Sequence, residues 1–339
     1  MSTKDIYILG IESSCDDTSA AVLKNGKVLS NIIVSQDVHI DFGGVVPELA
    51  SRAHLSNIIP VVDSAIKKAK ISLNQLSAIS FTQGPGLMGS LIVGTEFSKG
   101  LGLSLNIPVI EVNHMQAHIL VHFIDDEKEK PSFPFLGVTI SGGHTQFILV
   151  EDYFKMKILG ETLDDAIGEA FDKCGKKLGL GFPAGPKIDK IAKKGDEYKF
   201  KFPIPKVKEG NISYSGTKTA FVNFLQKNKL KNEHFIDENI YDICASIQKN
   251  LIDNLLEKVE FLSIKNNLKK IVFGGGVSAN SYLKKRLDKE SKKHNFNIYM
   301  PELQYSTDNA AMIGIVGHLK FKDSIKSNLN ITPSPRLLF

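Results

Sequence analysis

Residues 6–23 read IYILGIESSCDDTSAAVL, and residues 135–150 read FLGVTISGGHTQFILV. Each stretch opens on a short apolar strand, breaks at a loop of small polar residues and resumes as a second strand. In the first copy the strands are residues 6–11 and 19–23 around a loop at 12–18. In the second they are 135–140 and 146–150 around a loop at 141–145. After the first copy, Asn25-Gly26 supplies a hairpin turn into a further strand over 27–34. One layout written twice predicts a duplicated α/β unit.

The charged, proline-ended segment 125–131 (DDEKEKP) separates the copies and suits a linker. The expected domains are 1–130 joined by a C-terminal helix at about 308–339, and 131–307. A third polar turn, Gly274-Gly275-Gly276, follows a strand at 270–273 and leads into a helix beginning at 277–283. Residues 47–70 have helical periodicity, with Pro60 expected to interrupt them. Residues 306–322 predict a helix capped by Ser306 or Thr307, with Asp308 in its first turn. Two such halves with their ligand loops facing each other would hold a nucleotide between them.

Composition narrows the function. The chain has 339 residues, about two domains' worth, of which 42% are hydrophobic and 23% charged, an ordinary globular mixture. Its cysteines, Cys15, Cys174 and Cys244, are too far apart for a disulfide scaffold or a CxxC metal pair. No apolar run reaches the roughly 18 residues of a membrane span, and the opening residues lack a signal-peptide pattern, so a cytoplasmic setting is expected. The net charge of +5 is a weak excess built from lysine, since Arg52, Arg286 and Arg336 are the whole arginine set. It permits an RNA partner without arguing for one.

Loops of Ser, Thr and Gly after buried strands offer backbone N–H groups to phosphate oxygens without side-chain obstruction. One such loop is common; three point to a nucleotide. Asp17, Asp165 and Asp172 are candidate partners for ribose hydroxyls or a metal. Gly84-Pro85-Gly86-Leu87-Met88-Gly89 matches the dinucleotide fingerprint, with Glu111 in the position of its acidic residue. Pro85 removes a donor where pyrophosphate needs one, however, and a dinucleotide fold would leave the other three loops unexplained.

Asn113-His114-Met115-Gln116-Ala117-His118 places two imidazoles at i and i+4 on one helical face, a chelating spacing. His122 continues the row but lies too far along to share the same ion. Met115 stands where a metalloprotease would have its glutamate base, so a protease would lack its general base. Two histidines and one carboxylate would leave open positions on Fe or Zn, and Asp308 is the best-placed donor of that carboxylate.

These residues together resemble the TsaD/Gcp family of tRNA threonylcarbamoyladenosine synthases. The likeness runs through GIESSCDDTSAAV, GPGLMGSLIVG, NHMQAH, SGGHTQ, LDDAIGEAFDK, GFPAGPKID, YSGTK, FGGGVSAN and YSTDNAAMI, in that order. It implies the actin-like, sugar-kinase-like ATPase fold (ASKHA), two duplicated α/β domains around a nucleotide cleft. It also implies metal ligation by His114, His118 and Asp308, and substrate binding at Thr139, Ile140, Ser141, Gly142, Gly143, Asp172, Gly185, Asp189 and Asn280. One departure is visible: Ala184-Gly185-Pro186 stands in place of the usual Gly-Gly-Pro, and the Ala184 methyl is expected to crowd the ribose slightly.

The activity so implied is transfer of the threonylcarbamoyl group of threonylcarbamoyl-AMP to N6 of the adenosine 3′ of the anticodon in tRNAs reading ANN codons, with release of AMP. The resemblance implies one divalent metal per chain, Fe(2+) ahead of Zn(2+), and an adenine nucleotide, threonylcarbamoyl-AMP or ATP, as substrate. The implied partners are tRNA, a degenerate TsaB-like paralogue and a TsaE-like P-loop ATPase, with no membrane and no DNA. No residue announces itself as general base; His144 and Asp16 sit in suitable loops. Residues 187–208 hold eight lysines with Tyr198, Phe200 and Phe202 among them, a candidate track for the tRNA backbone. The rivals are a small-molecule kinase of the same fold, which has no need of the two histidines, and a non-catalytic nucleotide-binding scaffold.

Overall fold

The computed structural model describes residues 5–339. The chain divides into two units, one running to Pro131 and completed by Thr307–Phe339, the other Ser132–Ser306.

The first unit is built on strands β1 (Tyr7–Glu12), β2 (Asp17–Lys24) and β3 (Lys27–Ser35), then helix α1 (Pro47–Ala69), strand β4 (Ala78–Gly84), helix α2 (Met88–Leu105), strand β5 (Val109–Asn113) and helix α3 (His114–Leu120). Its sheet has the order β3-β2-β1-β4-β5; β1 pairs antiparallel with β2 and parallel with β4, which pairs parallel with β5. The antiparallel half follows from the Asn25-Gly26 turn, where both residues take positive φ. The parallel half follows from the helical crossover through α1.

The second unit repeats the plan. It contains β6 (Phe135–Ile140), β7 (Thr145–Asp152), β8 (Lys155–Glu161), α4 (Ile167–Lys177), α5 (Gly185–Ala192), α6 (Ser215–Lys229), α7 (Phe235–Lys265), β9 (Lys270–Gly274), α8 (Ser281–His294), β10 (Asn297–Tyr299) and the short α9 (Leu303–Ser306). Sheet order β10-β9-β6-β7-β8 is the same pattern read from the other edge, with β6 antiparallel to β7 and parallel to β9. Its core gathers Phe147, Phe171, Phe221 and Phe273, all essentially inaccessible to solvent. Each such side chain contributes on the order of 1.5–3 kcal/mol of transfer free energy.

The last helix, α10 (Ala310–Lys322), belongs to the first unit and is apolar all round because it is buried all round, from Ala310 to His318. It crosses β1 so closely that a Cβ on Gly10 would lie 2.3 Å from the Ala310 carbonyl oxygen. Gly10 is therefore what lets the start of α10 seat on the strand.

Two sequence expectations are corrected here. Pro60 does not interrupt α1, which runs unbroken through it. Pro60 and Ser56, whose carbonyl the missing N–H would have met, are both exposed, so water takes the place of the lost bond. The cap of α10 is neither Ser306 nor Thr307 but Asn309, whose side chain accepts from Met312 N–H at 3.1 Å. Asp308 consequently precedes the helix rather than lying in its first turn.

Candidate functional site

The centre of the first unit is assembled where β5 turns directly into α3. Asn113 caps that helix, its side-chain oxygen accepting from Met115 N–H at 2.9 Å and Gln116 N–H at 3.2 Å. Its amide donates to the Leu338 carbonyl at 3.1 Å, tying the C-terminal tail to the cap. The first helical residue is thereby fixed, and with it His114 and, one turn on, His118. From the other direction Ser19 Oγ accepts from Ala310 N–H at 2.8 Å and holds the entry to α10, which sets Asp308.

The three side chains meet. His118 Nε2 lies 3.2 Å from His114 Nε2 and 3.2 Å from Asp308 Oδ1, and His114 Nε2 lies 3.4 Å from the same oxygen. Ligand atoms about 2.1 Å from a common ion at near-tetrahedral angles lie about 3.4 Å apart, so the triangle has the size of one metal's coordination face. The histidines are buried, and Asp308 is 24% exposed, which leaves an open side. A His-His-Asp set of this size fits Fe(2+) or Zn(2+).

A residue that the sequence reading did not single out sets the tautomer. Glu12, fully buried at the end of β1, accepts from His114 Nδ1–H at 2.9 Å and from the Thr82 hydroxyl at 2.7 Å through Oε2, while Oε1 accepts from Ser14 N–H. With its proton held on Nδ1, His114 has Nε2, facing His118 and Asp308, as the nitrogen that would give up its proton to a metal. Burial favours the neutral imidazole, but Glu12 and Asp308 outweigh it and raise the His114 pKa well above its usual value. Burial likewise favours a protonated Asp308, and His114 overrides it, holding that carboxyl well below the usual range. The signal for Glu12 was a lone acid closing an otherwise apolar strand, a residue type that is almost never buried without a partner.

Other first-unit candidates fall into place around this centre. Asp17 opens β2; burial pushes its carboxyl up to about 7, with Asp308, Asp16 and Glu12 adding to the effect. His122 lies beyond the end of α3 and outside the triangle. In the fingerprint-like segment at 84–89, Gly86 N–H is taken by the Pro335 carbonyl and Leu87 N–H by that of Ser14, and Pro85 has none to offer.

In the second unit the loop at 141–144 is pinned by Ser141 N–H on the His144 carbonyl at 2.9 Å and His144 N–H on Ser141 Oγ at 3.1 Å. Gly142 and Gly143 are exposed, with open space around both. The start of α4 lies against this loop: Gly168 N–H donates to the Ser141 carbonyl, and a Cβ on Gly168 would stand 2.5 Å from that oxygen. Gly275, at φ 92°, packs its backbone on Ile140, so the 139–143 and 274–276 loops are neighbours. Thr139 Oγ1 and Ser278 Oγ are buried there without a hydrogen-bond partner. A helix N-terminus beside two exposed glycine N–H groups is an arrangement suited to an anion.

The remaining candidates form a chain of contacts. Asp172 accepts from Ala184 N–H at 2.7 Å and Gly185 N–H at 3.3 Å; burial raises its pKa against those two bonds. One turn along α5, Asp189 accepts from Ser281 N–H and its hydroxyl. Asn280 caps α8 through Leu283 N–H and donates to Gln248 at 2.8 Å. Asp172, Gly185, Asp189 and Asn280 thus line up along the starts of α5 and α8.

Three further expectations change. The Ala184 methyl is fully buried against Gly175 and does not project outward to crowd a ligand. Asp165 is not free for a ribose or a metal, because Lys173 at 2.6 Å and Lys218 at 2.5 Å neutralise it. In the stretch 187–208, Phe200 and Phe202 turn inward onto Phe221, Phe224 and Phe235, and Lys199 pairs with Asp242, so its interleaved aromatics belong mainly to the core. A second group, Glu260, Glu290 and His294, also brings donor atoms within 4.8 Å of one another. Lys293 and Arg286 already reach its carboxylates, which makes it an ion-pair network on α7 and α8.

The family model for TsaD, tRNA N6-adenosine threonylcarbamoyltransferase, matches residues 27–315. The chain belongs to the TsaD family. A tRNA N6-adenosine threonylcarbamoyltransferase of Christiangramia forsetii is 54% identical over 340 residues, covering 100% of both chains, and one of Caldicellulosiruptor saccharolyticus is 46% identical, covering 93% of each. Among solved structures, full-length HypF superposes on 95% of this chain and 47% of its own with a TM-score of 0.62 at 13% identity. Component A of the Acidaminococcus fermentans (R)-2-hydroxyglutaryl-CoA dehydratase covers 93% of this chain and 98% of its own, with a TM-score of 0.55 at 16% identity. At those identities the likeness speaks for the fold alone, and it agrees with the duplicated ASKHA-type architecture. No helix among the described residues is long and apolar enough to cross a membrane.

Proposed function

We propose that the chain transfers the threonylcarbamoyl group of threonylcarbamoyl-AMP to N6 of the adenosine 3′ of the anticodon in tRNAs reading ANN codons, releasing AMP. The observation that carries this reading is the His114–His118–Asp308 triangle in a chain whose curated relatives, matched over almost their full length, bear that activity in their names.

AMP is a good leaving group, so the protein's task is to position two large partners and stabilise charge at the carbamoyl oxygen. His114, His118 and Asp308 would hold one divalent ion, Fe(2+) ahead of Zn(2+), which when bound supplies Lewis-acid polarisation. Glu12 keeps His114 in the ligating tautomer. On the second unit, the N–H groups of Gly142 and Gly143 and the start of α4 take the phosphate of the adenylate. Asp172, Gly185, Asp189 and Asn280 form the nucleoside side of that site, with Thr139 and Ile140 beneath the loop. The domain roles follow: the unit of 1–130 with 308–339 holds the metal, and 131–307 the nucleotide.

A cytoplasmic setting fits free, buried Cys174 and Cys244 and an RNA substrate. A TsaB-like paralogue and a TsaE-like ATPase are the expected partners. The test is nucleoside mass spectrometry of tRNA from cells depleted of this chain and rescued with wild type. Loss of threonylcarbamoyladenosine on depletion and its return on rescue are expected. Persistence of the modification after depletion would remove the transferase reading and bring the kinase of the same fold forward.

A further inference from the structure

We propose that the recess between α4 and α6 is where this chain grips the phosphate backbone of its RNA substrate, an inference that rests on the tRNA-transfer reading. Apart from Gly168 and Asp172, the motif segments LDDAIGEAFDK and YSGTK have no part in the chemistry described above, and the fold knits them together. Asp164 accepts from Ser213 Oγ, Ser215 Oγ and the N–H groups of Tyr214 and Ser215, while Asp165 binds Lys173 and Lys218 from opposite sides. These bonds fix α4 beside α6 and leave between them an open recess of about 320 Å³, lined by Lys173, Lys176, Lys177 and Lys218 with Thr219 and Asn223.

The charges there do not cancel. Asp165 and Glu169 are the carboxylates paired with these lysines, and Lys176 and Lys177 form no ion pair among the described residues. Helix α6 contains no acidic residue at all. Lysines in the last turn of α4 are what the helix dipole favours, which would account for Lys176 and Lys177 alone. Lys218, in the first turn of α6 where the dipole opposes a cation, is held there by Asp165.

The chemistry selects phosphate rather than base. The recess has no aromatic platform for stacking, and lysine ammonium groups bind phosphates as point charges, which positions a strand without reading its sequence. Helix α4 spans about 16 Å at 1.5 Å per residue. Its first turn supports the 141–143 loop and its last turn carries Lys176 and Lys177, so an RNA held at one end stays within reach of the other. The stretch 187–208 is the weaker candidate, its phenylalanines being committed to the core.

The test is equilibrium binding of an unmodified ANN-reading tRNA to the full chain with its partner proteins, over a range of salt, for wild type, Lys176→Ala/Lys177→Ala and Lys206→Ala/Lys208→Ala. Both pairs replace surface side chains, and circular dichroism checks folding. Losing two phosphate contacts should lower the log K against log salt slope by about 1.4–1.8 and weaken low-salt binding roughly tenfold or more. The tRNA KM should rise with kcat at saturating tRNA unchanged and with adenine-nucleotide affinity unchanged. Transfer by wild type with an unaltered slope in Lys176→Ala/Lys177→Ala overturns the recess alone, as does an equal effect from Lys206→Ala/Lys208→Ala or a loss of mononucleotide binding instead. Absence of any tRNA binding by wild type overturns the recess and the transfer reading together.

Discussion

Replacing Glu12 by Gln changes one buried atom and tests whether His114 is a prepared ligand. Glu12 Oε2 receives His114 Nδ1–H at 2.9 Å and the Thr82 hydroxyl at 2.7 Å, and Oε1 receives Ser14 N–H. A carboxylate satisfies all three because it only accepts. A carboxamide fails in either orientation. With its NH2 toward Ser14, two donors face each other in a site with no access to water. With its NH2 toward His114, the imidazole must give up its Nδ1 proton and take it on Nε2, the atom that faces His118 and Asp308. Loss of an outer carboxylate of this kind costs about 10–100-fold in metal affinity, or about 1.4–2.7 kcal/mol. The assay is a competitive titration of Zn(2+) or Fe(2+) against a chelator of known affinity, with metal content read by mass spectrometry. Wild-type affinity in Glu12→Gln, with the fold intact by circular dichroism, would refute the tautomer argument.

Other outcomes follow from close contacts and hydrogen bonds. Gly10→Ala puts a methyl 2.3 Å from the Ala310 carbonyl; it should lower stability by about 1–3 kcal/mol or more and reduce metal content as well, because α10 carries Asp308 with it. A melting curve alongside metal analysis checks both, and loss of neither would show that α10 does not set Asp308. Gly168→Ala pushes on the Ser141 carbonyl from 2.5 Å and should raise the KM for the adenylate while metal content stays at the wild-type level; an unchanged KM would dissociate the 141–143 loop from nucleotide binding. Asp164 is held down to about 2, from 3.8, by four hydrogen bonds that outweigh its burial. Its stabilising effect is therefore present above the unfolded value and lost as pH falls from 3.8 toward 2. Asp164→Asn should flatten that part of the stability profile in thermal melts, and an unaltered acid limb would show the bonds to be unimportant.

Much of this was legible because duplication and ligand spacing are local signals. The strand–loop–strand repeat predicted two sheets of one topology, and β3-β2-β1-β4-β5 with β10-β9-β6-β7-β8 is that pattern. The i, i+4 histidines were readable from helix geometry alone, and Asp308 stood out as a carboxylate by a helix start, but its pairing with them, nearly two hundred residues away, rested on the family resemblance. What escaped was non-local. Nothing in the order of residues says that Glu12 reaches across β4 to His114, or that Asp165 is spent on Lys173 and Lys218. Pro60 misled because a breaker's cost depends on whether water can reach the freed carbonyl, and exposure is a property of the fold. The phenylalanines of 187–208 misled in the same way: interleaving looks alike for a stacking surface and for one edge of a core.

The most direct measurement supplies threonylcarbamoyl-adenylate, isotopically labelled at the carbamoyl carbon, to the chain with its partner proteins and an unmodified ANN-reading tRNA. Labelled nucleoside and AMP are then quantified for wild type and His114→Ala. The account predicts label on N6 of the adenosine 3′ of the anticodon, matched by AMP, for wild type, and a strongly reduced yield for His114→Ala. Label appearing in tRNA equally well without this chain would contradict it.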